Sequence, residues 1–106
     1  MKALSEQEII EFTNVYLKEW AIENNTIKRD FKFKTFAEAF SFMSAIALEA
    51  EKLNHHPDWS NSYNKVSIAL TNHEANGVTQ LDFVLANRID KIFNTFLTQQ
   101  TSQKNN

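Results

Sequence analysis

The sequence predicts an α+β domain in two layers, an antiparallel β-sheet backed by helices, with the element order α-β-β-α-β-α. Three observations support this. Ser5-x-x-Glu8, Thr35-x-x-Glu38 and Thr79-x-x-Asp82 each have the form of a capping box and precede helix-spaced apolar residues. In such a box the hydroxyl accepts from a first-turn amide while the carboxylate reaches back to the cap residue's own N–H. Ile27, Phe31 and Phe33 alternate with Lys28, Asp30, Lys32 and Lys34, the period-two pattern of a half-buried strand. Finally, 106 residues that are 42% apolar, nine of them phenylalanine, suffice for one core and one domain spanning 1–106.

Taken in order, the first helix is expected from Glu6 to Lys18, with Ile9, Phe12 and Tyr16 on one face. Trp20 to Glu23 reads as a short strand, and Asn24-Asn25 as a two-residue turn, because Asn tolerates the positive φ that a tight hairpin needs. In this register Ile22 faces Ile27, and Trp20 faces Arg29 as a cation–π pair. Arg29 falls on the apolar side of its strand, so one end of that face is expected to be wet.

The second helix starts at Thr35. From Phe36 to Ala50 only Glu38 and Glu49 are charged, so apolar residues wrap most of its circumference. A helix lying on one sheet needs one apolar stripe, and a wider stripe implies a second covering surface. In so short a chain that surface is another subunit, so an oligomer is expected. Pro57 ends this helix near Asn54, since the residue before a proline is pushed out of the α region. A strand follows from Tyr63 to His73, with Val66, Ile68 and Leu70 on one face. Glu74 to Gly77 is a turn, with the lone glycine expected at positive φ. The third helix runs from Thr79 to Leu97 with Leu81, Leu85, Ile89, Ile92 and Phe96 as its buried stripe. Residues 1–4 and 98–106 are expected to fray.

Composition excludes several classes of function. A formal charge of −2 offers nothing to a phosphate backbone, so no nucleic-acid partner is expected. No stretch approaches the roughly 20 apolar residues of a membrane helix. Met1-Lys2-Ala3-Leu4 runs straight into Glu6, Glu8 and Glu11 without an apolar targeting core, so the expected location is cytoplasmic, away from membranes. The absence of cysteine removes disulfides, thiolate zinc sites, iron–sulfur clusters and thiol nucleophiles. A single glycine removes the Gly-rich phosphate loops, and no Gly-x-Ser-x-Gly elbow is present.

What remains is histidine. His55 and His56 sit at the end of the second helix, and His73 near the end of the strand that follows. Imidazole titrates nearest neutrality and can both give and take protons. Glu51, one helical turn before His55, is placed to hydrogen-bond to it. His56, followed by proline, must point elsewhere, so the two rings read as two edges of a pocket rather than a chelate. Plainer readings exist for each residue: His55 as a helix C-cap, His73 as an ordinary strand-end residue, Asp82 as the third residue of its capping box. Trp59 could serve only as a lid on the core, and Glu51 could be simply solvated. Three histidines and Glu51 would suit zinc by count. Adjacent histidines diverge, however, and neither His-x-x-x-His nor His-x-His occurs, so no metal is expected.

Glu51-Lys52-Leu53-Asn54-His55-His56-Pro57-Asp58-Trp59, then Tyr63-Asn64-Lys65-Val66, then Leu70-Thr71-Asn72-His73, then Gly77-Val78-Thr79 with Asp82, resembles the pterin-4a-carbinolamine dehydratase family. Upstream, Arg29-Asp30-Phe31-Lys32-Phe33 and the run from Phe36 through Ala39-Phe40 to Phe42-Met43 resemble it too. The similarity covers Trp20 to Ile89. It implies a hydro-lyase that removes water from a 4a-hydroxytetrahydropterin to give the quinonoid dihydropterin, usually in recycling the pterin of aromatic amino acid hydroxylases. It also implies that no metal or bound cofactor is used, the pterin being the substrate, and that the protein assembles as a homodimer or homotetramer.

The implied catalytic residues are His55, His56 and His73, with Glu51, Trp59 and Asp82 around the substrate. Elimination of a C4a hydroxyl needs a proton for the departing oxygen and removal of one from N5. His55 and His73 are assigned as the acid–base pair, in either order. His56 orients the pterin, Glu51 holds His55, and Asp82 orients a histidine or only caps its helix. Leu81 stands where many relatives carry a basic residue, and Asp58 where glutamate is frequent. The alternative is a non-enzymatic interaction module, since some animal members act as dimerisation cofactors through the broad apolar helix.

Overall fold

The computed structural model describes residues 1–104, with side chains through residue 97. The elements are α1 (Glu6–Tyr16), β1 (Ala21–Glu23), β2 (Thr26–Lys32), α2 (Phe36–Leu53), β3 (Asp58–Ser62), β4 (Lys65–Leu70) and α3 (Gln80–Lys104). The α+β class holds, with one strand more than the sequence predicts. That strand is β3, whose sequence Asp58-Trp59-Ser60-Asn61-Ser62 has a single apolar residue and no β-branched one, so neither propensity nor alternation marks it. It is an edge strand, ordered by its ladder to β4. α3 continues to Lys104, past the expected end at Leu97; of the residues expected to fray, 105–106 lie outside the described ones.

All four strands are antiparallel in the order β1-β2-β4-β3. Ile22 pairs with Ile27 as expected, and Phe31 with Val66 and Arg29 with Ile68 bind β2 to β4. The turn residues Asn24 and Asn25 both take positive φ, at 48° and 61°. One face of the sheet buries Ile27, Phe31, Val66, Ile68 and Leu70 in a single core with Phe42 and Ile46 of α2 and Leu85 and Ile89 of α3. The other face presents Lys28, Asp30, Lys32, Lys65 and Ser67 to solvent. Phe42 lies 4.9 Å from both Phe31 and Phe33, and Phe93 is 5.0 Å from Phe31, ring centre to ring centre. Tilted and edge-on ring pairs of this kind add about 0.5–1.5 kcal/mol each beyond their burial.

The capping residues act as read, with variations. Ser5 and Glu8 form the full reciprocal box, and its hydrogen bonds from Ser5 hold the Glu8 carboxyl below the usual carboxylate range. Thr35 accepts from the Glu38 N–H at 3.1 Å, while Glu38 reaches one residue further back, to the Lys34 N–H at 2.9 Å. The Thr79 N–H donates to Asp82 Oδ2 at 2.8 Å.

Four local expectations are corrected. In α1 the buried positions are Ile9 and Thr13, with Leu17 beyond them. Tyr16 is exposed and rests on Phe12, which in turn stacks on Phe83 at 4.1 Å. Gly77 does not take positive φ; Asn76 does, at 57°. A Cβ there would come within 3.2 Å of Ala3 Cβ, close enough to push the neighbouring segment by a few tenths of an ångström, beside the Leu4 N–H bond to the Val78 carbonyl at 2.8 Å. In α3, Leu81 is only half-buried, and Asp82 and Phe83 are buried instead.

The fourth correction concerns Arg29. Its guanidinium lies over Phe31 and Phe93, at 4.6 and 5.1 Å, and it meets Trp20 through a shared acid. Arg29 Nη1 donates to Asp90 Oδ1 at 2.7 Å, and Trp20 Nε1 donates to the same carboxylate at 2.9 Å. This pairing closes the end of the face that was expected to be wet. Burial pushes the Asp90 carboxyl up, and the hydrogen bonds from Trp20 and the Arg29 charge only partly offset it.

The width of the apolar surface on α2 is real. Ala39, Phe42, Ile46 and Ala50 face the core, while Phe36, Phe40 and Leu48 are 50%, 56% and 66% exposed on other sides of the helix. Among the described residues, no helix is long and apolar enough to cross a membrane.

Candidate active site

The site begins where α2 ends. Asn54 adopts the left-handed conformation at φ 50°, which Asn accepts at lower cost than most residues. The turn lets the His55 N–H donate back to the Ala50 carbonyl at 3.1 Å, a helix-ending pattern that satisfies an otherwise orphaned acceptor. The same turn takes His55 out of helical register. Its ring goes inward, leaving the residue 8% exposed, and Nε2 hydrogen-bonds to Asp82 Oδ1.

Glu51 therefore does not hold His55. The helical spacing that would have paired them is broken by the left-handed residue between them. Glu51 Oε1 instead meets His56 Nε2 at 2.7 Å, with both side chains largely in solvent. The expectation that the two adjacent rings diverge is met.

Asp82 does both things allowed for it. It is wholly buried, its Oδ1 takes His55, and its Oδ2 takes the Thr79 N–H at the start of α3. A buried carboxylate is tolerable only when its oxygens are occupied in this way.

His73 arrives from the other side. After β4 the chain makes a tight loop closed by the bridge between Asn72 and Gly77. Asn72 Oδ1 accepts from the Ala75 N–H at 2.9 Å, and the His73 carbonyl from the Asn76 N–H at 3.3 Å. From that loop His73 Nε2 reaches Asp58 Oδ2 at 3.2 Å.

His55, His56 and His73 line one cavity of about 520 Å³, together with Asp58, Thr71, Asn72 and Leu81. That size falls within the roughly 300–1,000 Å³ typical of small-molecule sites. Glu51 and Asp82 stand behind two of the rings. Trp59 pairs with Ile68 across β3 and β4 and packs half-buried on the core, the lid-like position among its readings. Thr71, Asn72 and Asp58 lacked assigned roles in the sequence reading. Asp58 carries no sequence signal of its own: it arrives on β3, whose pairing of Asp58 with Ala69 brings it to the end of β4 where the His73 loop begins.

Every ring thus has a carboxylate on Nε2. A carboxylate can only accept, so that nitrogen carries the proton and a neutral ring keeps its lone pair on Nδ1. Such an arrangement can donate and accept protons at the rim of a pocket. Among the described residues, no group of three or more His, Asp or Glu side chains is arranged to hold a metal ion.

Comparison with known proteins identifies the family and the fold. The family model described as pterin 4 alpha carbinolamine dehydratase matches residues 2–92. A Prochlorococcus marinus (strain NATL2A) protein, provisionally named a pterin-4-alpha-carbinolamine dehydratase, is 57% identical over 76 residues, covering 72% of this chain and 80% of that one. The crystal structure of a transcriptional coactivator/pterin dehydratase from Brucella melitensis superposes with a TM-score of 0.83 at 42% identity, covering 87% of this chain and 99% of that one. A pterin dehydratase-like protein, identified as a RuBisCO assembly factor in the alpha-carboxysome, shares the fold at 20% identity and a TM-score of 0.58, over 69% of this chain and 84% of that one. The chain belongs to the pterin 4 alpha carbinolamine dehydratase family.

Proposed function

We propose that this member of the pterin 4 alpha carbinolamine dehydratase family is a hydro-lyase acting on a 4a-hydroxytetrahydropterin in the cytoplasm. The observation that carries the reading is the meeting of His55, His56 and His73, from two separate parts of the chain, around one cavity. In the reaction the C4a–O bond breaks and the oxygen leaves as water, taking a proton from an imidazolium. N5 gives its proton to a neutral imidazole, and its electron pair forms the new C=N bond. The net change is loss of one water, and proton exchange between the two rings and solvent resets the site. General acid–base help of this kind contributes about 10²–10⁴-fold.

His55 and His73 take the acid and base parts. Asp82 fixes the tautomer of His55 from below, the role expected of a carboxylate on the far nitrogen of a working imidazole. His56, backed by Glu51, lies at the exposed rim and orients the heterocycle. The pterin is the substrate, and neither metal nor resident cofactor enters the reaction.

A second reading is favoured by the exposed Phe36, Phe40 and Leu48 on α2. Apolar area of that kind on one helix suits association with another protein surface. In our reading it makes a homodimer or homotetramer of the enzyme. The competing version is an interaction module without activity. One experiment separates them: a spectrophotometric dehydration assay on synthetic 4a-hydroxytetrahydropterin, run beside a sizing column. The enzyme accelerates the loss of water above the spontaneous rate. A module that only associates leaves that rate unaltered.

A further inference from the structure

We infer that Asp58 is a positioning residue for His73, holding its ring in the tautomer with hydrogen on Nε2 and the lone pair on Nδ1. This rests on the dehydratase reading of the same cavity. The contact is His73 Nε2 to Asp58 Oδ2 at 3.2 Å, and both residues line the cavity.

Backbone holds the two side chains face to face. Asp58 follows Pro57, whose φ is fixed, and its own strand is bound to β4 through the pairing with Ala69. His73 sits in the loop closed by the Asn72–Gly77 bridge. The logic repeats what Asp82 does for His55 and Glu51 for His56, so all three rings are steered by an acceptor on the same nitrogen.

The environments differ in degree. The His73 and Asp58 side chains are 79% and 61% exposed, so in the empty cavity water competes for both. A flat heterocycle entering the cavity displaces that water, and a hydrogen bond strengthens as its surroundings become less polar. The orienting effect is therefore present but weak in the empty cavity and strengthens when substrate is bound, so it falls on kcat more than on KM. An exposed pair contributes at most about 1 kcal/mol, which is about fivefold in rate.

The test uses the full chain with Asp58→Asn, Asp58→Ala and Asp58→Glu, measuring kcat and KM for dehydration. The ring nitrogens of His73 are followed by ¹⁵N NMR in the absence of substrate. Asn and Ala are expected to lower kcat about fivefold while KM stays within about twofold, and to shift His73 from the Nε2–H tautomer toward a mixture. Glu, which keeps a carboxylate, is expected to retain both properties. Wild-type kcat in the Asn and Ala variants overturns the proposal, and so does an unchanged His73 tautomer in them. If the wild type itself fails to accelerate dehydration, the dehydratase reading falls, while the nitrogen spectra still decide whether Asp58 orients the ring.

Discussion

Two carboxylates in this molecule each serve a ring nitrogen, and they do opposite things. Asp90 accepts from Trp20 Nε1 and from Arg29 at one end of the sheet. Asp82, about two turns earlier on the same helix α3, pairs with His55 Nε2. Around Asp90 the space is filled, with Arg29 lying over Phe31 and Phe93, and the indole has no second nitrogen to offer. Around His55 a cavity is left open, and the imidazole keeps a nitrogen in reserve. A carboxylate behind an N–H is thus a structural tie or a chemical device, depending on whether the ring has a free lone pair and somewhere to present it.

The largest effect expected from breaking that comparison is on turnover. His55→Ala or His73→Ala removes the free nitrogen and should slow dehydration by about 10²–10⁴-fold, with circular dichroism and sizing profile unchanged. Normal turnover in both variants would reduce the site to the same status as the Trp20 cluster. Next comes Asp82→Ala, which strikes both fold and chemistry. It removes the acceptor for the buried Thr79 N–H and for His55 together. A lost cap plus unpaired buried groups should lower unfolding stability by roughly 2–4 kcal/mol in a urea titration, alongside a fall in kcat.

Asp90 supplies a test of sign. Its folded-state pKa lies above the ordinary value because burial disfavours the charge. Below the unfolded pKa its protonated form is fully accommodated, and as pH rises through the raised folded pKa that contribution to stability is lost. Relative to Asp90→Asn, which cannot ionise, the wild type should therefore melt progressively less favourably as pH climbs from about 3.5 toward neutrality. A Tm difference that is flat across the range would mean the acid is not held as described. The smallest effect belongs to Glu51→Gln. Its pair with His56 is largely in water, so Tm should not move, and KM should rise by no more than about fivefold.

The sheet-facing half of this architecture was legible because burial writes a period into the sequence. Val66, Ile68 and Leu70 alternate and are buried, and the three cap signals mark three helix starts. The histidines were legible through their residue types and the resemblance of the block around them. Of their partners, only Asp82 was anticipated. The pairing of Glu51 with His56 rather than His55 depends on one left-handed residue, Asn54, and a helical count carried past the helix end misassigns it. Asp58 was hidden for a related reason, since the polar strand that delivers it is specified by the neighbour it pairs with. Arg29 read as a wet edge because its counter-ion, Asp90, lies 61 residues away in sequence.

One side chain answers to two masters. The acid that seals the entrance of α3 also steadies the innermost imidazole, so any drift that loosens the Thr79–Asp82 turn reaches the reactive ring in the same stroke. Durability and reactivity cannot be adjusted separately at that spot, and a redesign aimed at either one has to leave that carboxyl where it is.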